Sequence, residues 1–443
     1  MARLNVPTGS TPIFTHEGAK AQMINPELQL RRSVCACMLW EDTFYEDGQS
    51  VADRIIQTIS SVSAPKVASL AVEAREKFKL RHVPLLIVRE MARLGTTHKY
   101  LVADTLGRVI QRPDELAEFL AIYWKGEKTR KKSPLSAQVK KGLAAAFQKF
   151  NEYQLSKYDR DGSIKLRDVL FLCHAKPKDD EQEALWKRLI NKTLVTPDTW
   201  EVEISKNKSN KDSWERLLCE NKLGGLALLR NLRNMSEAGV DPELVHDAFL
   251  RMKVERILPF RFIAAAKYAP QWEAWIEEAM LKCTDGMEKL PGKTVLIVDG
   301  SGSMFGTKVS DRSEIDRFEA ASALAILARE LCERCEVLVF SNDTFLVPAR
   351  RGFALRDALY KGAQQGGTNT QHAVAAAAGL GYDRVIILTD EQSHQSISQP
   401  LPGAKGYVIN VATYQNGIGY GPWTHIDGWS EAVLAYIQES EKV

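Results

Sequence analysis

Four short apolar runs near the end of the chain constrain its fold more than any other feature. They are Thr294-Val-Leu-Ile-Val-Asp299, Val337-Leu-Val-Phe340, Val385-Ile-Ile-Leu388 and Tyr407-Val-Ile-Asn-Val411. Each lacks the polar alternation of a strand with one wet face. Such runs belong to strands buried on both faces, as in a parallel sheet covered by helices. Helical patterns at 317–333, 355–361, 370–380 and 431–441 fall between or after them. The alternation predicts an open, doubly wound α/β sheet over residues 290–443. Ligands of such sheets bind at the carboxyl ends of the strands.

Two of the runs end in acid. Asp299 opens the segment Asp299-Gly-Ser301-Gly-Ser303-Met, and Asp390 follows Thr389. Between them stands Gly366-Gly-Thr368-Asn-Thr. Three hydroxyls and two carboxylates supply the oxygen donors that a hard divalent cation, above all Mg²⁺, requires, with one octahedral position left open. A phosphate loop would need the P-loop lysine or the G-x-G-x-x-G spacing, and neither is present. A plain turn would explain the first five residues alone, but not Thr368 and Asp390 in register with them. The set resembles the metal-ion-dependent adhesion site of von Willebrand factor A domains. Direct coordination is expected from Ser301, Ser303 and Thr368. Asp299 and Asp390 are expected to act through water or to hold the hydroxyls. The open position would accept a carboxylate from another protein.

No catalytic set accompanies this motif. No base lies beside Ser301 or Ser303 in sequence, and His372 and His394 are expected at the surface. A phosphatase or nuclease would use more carboxylates on one or two metals. The site is therefore predicted to bind a partner, and the chain not to be an enzyme.

The first two-thirds read differently. After an N-terminal segment, 1–24, residues 25–289 show helical spacing with almost no strand-like alternation. Helices are predicted over 26–39, 51–59, 65–78, 83–93, 100–110, 113–124, 139–150, 166–174, 181–192, 214–220, 223–235, 242–250, 260–268 and 272–283. The polar stretch 193–212 is read as a loop. Short helices in succession suit an α-solenoid, in which each pair buries its face only against its neighbours.

With 44% hydrophobic and 26% charged residues the composition is that of a globular protein. No apolar run reaches the ~20 residues that span a bilayer, and the N-terminus lacks a signal-peptide layout. A cytoplasmic location is expected. Seven cysteines, an odd number, argue against a disulfide framework. Cys332-Glu-Arg-Cys335 has no second pair to complete a zinc site and is read as structural thiols between a helix and a strand.

Charge is unevenly spread. The net value is +3, yet residues 291–443 carry 13 basic and 17 acidic side chains, while 125–167 carry 12 basic and 4 acidic. A concentrated basic patch is the electrostatic footprint of nucleic-acid binding. Among its members are Lys125, Lys128, Arg130, Lys131, Lys132, Lys140, Lys141, Lys149, Lys157, Lys165 and Arg167. Solvated helix faces account for most charge runs of this kind. Here Tyr153 and Tyr158 add rings for stacking unpaired bases, and flanking apolar helices make the patch part of a folded scaffold. His174 closes an apolar helix ahead of Lys176 and Pro177. A capping role is the ordinary one there, and an RNA-facing corner is the alternative. Asp159-Arg-Asp161-Gly162 mimics part of a calcium loop, but Lys157 would stand at the first ligand position and a short Asp168 at the last, so a polar turn is expected.

Three segments carry a further likeness: Leu170-Phe-Leu-Cys-His174-Ala-Lys176-Pro177, Ala227-Leu-Leu-Arg230-Asn-Leu-Arg233-Asn-Met and Phe260-Arg-Phe-Ile-Ala-Ala. Together with an A-type domain behind a helical region, they resemble the Ro autoantigen family of TROVE-domain ribonucleoproteins, in its bacterial or phage form. The resemblance implies a closed ring of HEAT-like repeats followed by a von Willebrand factor A domain, in a monomeric protein. It implies small structured Y-like RNA on the outer surface and single-stranded 3′ ends of misfolded noncoding RNA in the central hole. It also implies polynucleotide phosphorylase as a partner tethered through RNA. His174 and Lys176 would lie at the Y RNA surface, with Lys140 and Lys141 on the same face. The competing reading is a metal-dependent protein-adhesion scaffold without specific RNA. A metal hydrolase, the third class, would need turnover that Asp299 substitution abolishes.

Overall fold

The computed structural model describes residues 13–14, 20–21, 26–36, 48–77, 80–125, 133–159, 162–207, 210–254, 257, 260–285, 287–308, 315–393, 395–412, 422–427, 433–434, 437–438 and 441. The chain divides into two compact units. One holds Pro26–Glu41 and Gly48–Cys283, and the other Met1–Asn25, Asp42–Asp47 and Thr284–Val443.

The first unit is helical throughout its described residues. Helices pack chiefly on near neighbours in sequence: Ala64–Glu76 on His82–Arg93, Val102–Val109 on Ala137–Phe147, and Ala137–Phe147 on Leu166–Cys173. This is the nearest-neighbour packing of a helical repeat array. Side-chain caps set several starts. Ser136 accepts from the Val139 N–H, Asp179 from Gln182 and Asn210 from Ser213, each satisfying a donor that the first turn leaves open. One buried ion pair ties three helices together. Arg75 meets Glu115 at 2.7 Å and also donates to the Val109 carbonyl at 3.1 Å.

Among the described residues, two helices of seven or more residues were not expected. Trp200–Asn207 lies within the stretch read as a loop. Its polar sequence hides its packing, because Trp200 stacks on the fully buried Trp214 of the next helix with ring centroids 6.5 Å apart. Glu152–Tyr158 is a short helix started by a capping box between Asn151 and Gln154, with Leu155 as its buried residue.

The second unit contains a six-stranded sheet. We label its strands β1 (Leu290–Asp299), β2 (Cys332–Phe340), β3 (Thr344–Val347), β4 (Arg384–Thr389), β5 (Lys405–Asn410) and β6 (Trp423–Asp427). Their spatial order is β3-β2-β1-β4-β5-β6. All pairs are parallel except β2 with β3, so the sheet is mixed where a wholly parallel one was expected. The order reverses between β1 and β4, which makes the gap at their carboxyl ends the switch point of the fold.

Val295 and Ile297 of β1 pack in one cluster with Ala373, Val374 and Ala377 of helix Thr370–Leu380. Leu296 and Val298, which point the other way, are equally buried. Both faces of β1 are thus covered, as the uninterrupted apolar run required. Helix Arg317–Leu331 passes directly into β2 at Cys332, so the two cysteines lie within the strand rather than ahead of it. Both thiols are free.

Candidate cation site and basic face

Asp299 is the last residue of β1, and Asp390 follows the last residue of β4. Both side chains are fully buried. Asp299 accepts from the Ser301 N–H at 2.9 Å and from the Thr389 hydroxyl at 2.5 Å. Burial, reinforced by the neighbouring Asp390 carboxylate, pushes its carboxyl up to about 7. Asp390 accepts from the Gln392 N–H at 3.2 Å and from the Arg317 guanidinium at 3.1 Å. The protein's own donors therefore engage both carboxylates.

The hydroxyls remain. Ser301 Oγ and Ser303 Oγ stand 3.3 Å apart, close to the spacing of adjacent ligands around a small octahedral cation. Thr368 is buried in a loop braced against the serine segment. Gly302 N donates to the Gly366 carbonyl at 2.9 Å, and Gln365 N to the Gly300 carbonyl at 3.0 Å. Ser341 and Asn342, just past β2, hold the same loop through Gly366 N and Gly367 N. A Cβ on Gly366 would come 2.5 Å from the Asn342 amide nitrogen and 2.9 Å from the Ser341 hydroxyl, so a larger residue would displace the side chains that hold the loop. The structure thus gathers the expected pieces at one sheet edge.

Sequence reading assigned no role at the site to Thr389, Ser341, Asn342 or Arg317. The first three sit beside strand ends, where contacts to a ligand loop are expected, and Arg317 carries no such mark. Among the described residues no cluster of three or more His, Cys, Asp or Glu side chains is poised to hold a metal. The donor chemistry accordingly fits a hard cation bound by hydroxyls and not a zinc-type site. His372 is exposed and pairs with the Thr344 hydroxyl. His394 lies outside the described residues.

In the helical unit, Lys128, Arg130, Lys131 and Lys132 also fall outside the described residues. Lys140 and Lys141 lie on helix Ala137–Phe147, which packs against Leu166–Cys173. His174 caps that second helix in a left-handed conformation with φ of 55° and is exposed, as is Lys176. His174 is thus at once the helix cap and a surface residue. Gln148 Nε2 donates to the Lys176 carbonyl at 2.8 Å and joins the two helices at this corner.

Lys149 is accessible at the surface, but its ammonium is engaged by the chain itself. Its ammonium donates to the Gly107 carbonyl at 2.5 Å and also to that of Ile110. It thus caps the end of helix Val102–Val109, where a cation is favoured. Tyr158 lies under the Arg112 guanidinium at 4.6 Å, which covers one ring face, while Tyr153 is exposed. Lys157 is half-buried, 3.9 Å from Glu201. Arg167 borders a cleft of about 190 Å³ that Lys165 and Lys192 also line.

Phe171 is 58% exposed. Leu166, Val169, Leu170 and Cys173 form the buried stripe of its helix, and Phe171 lies off that stripe. Helical spacing alone could have singled it out.

A helical repeat array and a doubly wound domain with an A-type motif at its switch point define the class. Residues 187–284 match the TROVE domain family. Its structure is similar to the crystal structure of the Deinococcus radiodurans Ro (RSR) protein, with a TM-score of 0.61 and 18% sequence identity over 92% of this chain and 97% of that one. The helical and doubly wound architecture is thus that of Ro. The comparison with curated proteins finds no match.

Proposed function

We propose that this chain is a non-enzymatic RNA-binding protein of the Ro type, acting in the cytoplasm in noncoding-RNA quality control. The observation that carries the proposal is the packing of helix Ala137–Phe147, which bears Lys140 and Lys141, on helix Leu166–Cys173, which bears the exposed Phe171 and leads into the exposed His174 and Lys176. Lysines there would neutralise phosphates without reading sequence. The Phe171 and His174 rings offer platforms for unpaired bases, the recognition mode of structured RNA with loops and ends. Lys157 and Arg167, with the cations around the adjoining cleft, would extend the surface. Lys128, Arg130, Lys131 and Lys132 belong to the same proposal by charge. Lys149 is left to its helix. A small Y-like RNA is the proposed ligand. Single-stranded 3′ ends and a nuclease of the polynucleotide phosphorylase type, tethered through RNA, are proposed partners. Among the described residues no helix is long and apolar enough to cross a membrane.

In the second unit the proposed ligand is Mg²⁺, held by Ser301, Ser303 and Thr368, with Asp299 and Asp390 in supporting positions. Bound there, the cation would present one open position to an anionic group of a partner. A protein-adhesion scaffold without RNA is the competing reading of that site.

Crosslinking in the native host, followed by sequencing of the copurified RNA, tests the proposal. A discrete small structured RNA crosslinked within residues 125–176 is the expected result. Background RNA alone, with protein partners lost on chelation, would establish the scaffold instead.

A further inference from the structure

Arg317 occupies the first position of helix Arg317–Leu331, directly after the N-cap Asp316. A cation there opposes the helix dipole, whereas Asp316 and Glu319 follow the usual preference for acids. The helix therefore gives no reason for the arginine. Its side chain is only 2% exposed and reaches Asp390 Oδ2 at 3.1 Å. Its backbone N–H donates to the Thr307 carbonyl at 3.1 Å, which draws the serine segment toward the same point. The carboxylate at the end of β4 thus lies beside the candidate cation site while already paired with a fixed positive charge of the chain.

We propose that Arg317 is a resident counter-ion of the cation site: it keeps Asp390 ordered when no metal is bound and lowers the affinity for the divalent ion. This rests on the Mg²⁺ reading above. Two buried carboxylates side by side with no positive charge would be costly to leave empty. The guanidinium neutralises one of them, so the edge of the sheet stays folded without metal. A divalent ion then enters a site that already holds a positive charge a few ångströms away. Repulsion at that distance, in surroundings that screen poorly, must weaken binding relative to the same donors without the arginine. The ion becomes exchangeable. Once bound, it leaves the site electropositive, which favours an anion at the open position.

The test titrates the full-length wild type and Arg317→Met with Mn²⁺, follows the free ion by electron paramagnetic resonance, and uses Mg²⁺ as competitor. The variant should bind Mn²⁺ at least about tenfold more tightly, and it should unfold at a lower temperature than wild type in chelator. Equal or weaker Mn²⁺ affinity in the variant, with wild type binding normally, overturns the counter-ion role and leaves Arg317 a structural tie. If neither protein binds Mn²⁺, the cation reading itself fails and takes this inference with it. Should Arg317→Met not fold in chelator, adding Mn²⁺ decides the matter. Recovery of a cooperative fold shows the metal replacing the guanidinium, and no recovery counts against the proposal.

Discussion

Thr389 Oγ1 donates to Asp299 Oδ2 at 2.5 Å, so the neighbouring strands β4 and β1 share a hydrogen bond at the edge where the strand order reverses. Both residues are fully buried. Thr389→Val keeps the shape and removes the donor. It should cost about 1–3 kcal/mol of stability in denaturant titration, the penalty of leaving a buried acceptor unmatched. An unchanged midpoint would mean that water or another donor replaces Thr389.

The hydroxyl donors predict a different pattern. Ser301→Ala, Ser303→Ala and Thr368→Ala should each weaken Mg²⁺ binding by at least the roughly 10–100-fold seen on loss of supporting groups around a metal. Their stability in chelator should barely move. Calorimetric titration with Mg²⁺ measures the first, and thermal unfolding in chelator the second. Wild-type affinity in all three variants would remove these side chains from the coordination sphere.

In the helical unit, the pair Arg75–Glu115 gives a prediction independent of any ligand. Glu115 is 0% exposed and also accepts from the Gln111 and Arg112 N–H groups. Glu115→Ala would remove the buried carboxylate that balances the Arg75 charge among three helices and should cost about 3–5 kcal/mol. Replacing both partners, as Arg75→Met with Glu115→Leu, should recover much of that. Equal losses in the single and double variants would argue that packing, not charge, dominates there.

These sites differ in how far the sequence discloses them. The run Thr294 to Asp299 could only be a strand buried on both faces, and its acid could only sit at the carboxyl edge. Asp299, Ser301, Ser303, Thr368 and Asp390 were readable because each adjoins a strand end or a glycine turn. Arg317 was not, since one arginine at a helix start resembles any other until its burial is known. β6 was missed because Trp-Thr-His-Ile-Asp alternates too weakly to announce a strand, and Trp423 and His425 are buried by neighbours far away in sequence. The basic segment gave the right charge but not which of its cations the chain itself engages. Lys149 and Lys140 look alike in sequence, and only the carbonyls of Gly107 and Ile110 show that the first is spoken for.

That distinction supplies a test of the basic face. Lys140→Glu with Lys141→Glu removes two cations from the helix that adjoins His174. RNA affinity should fall, and the dependence of log affinity on log salt should flatten by about one for each phosphate that the lysines no longer neutralise. Phe171→Ala should behave differently. An exposed ring binds a base by stacking, so its removal should cost about 1–3 kcal/mol per base and leave the salt slope unchanged, because no counterion is released. Lys149→Ala should lower stability by loosening the end of helix Val102–Val109 and leave the salt slope intact. Fluorescence anisotropy with the copurified RNA at several salt concentrations separates the three outcomes. If the Lys140 and Lys141 variant kept both affinity and slope while folded, phosphate binding would have to be sought on another face of the helical unit.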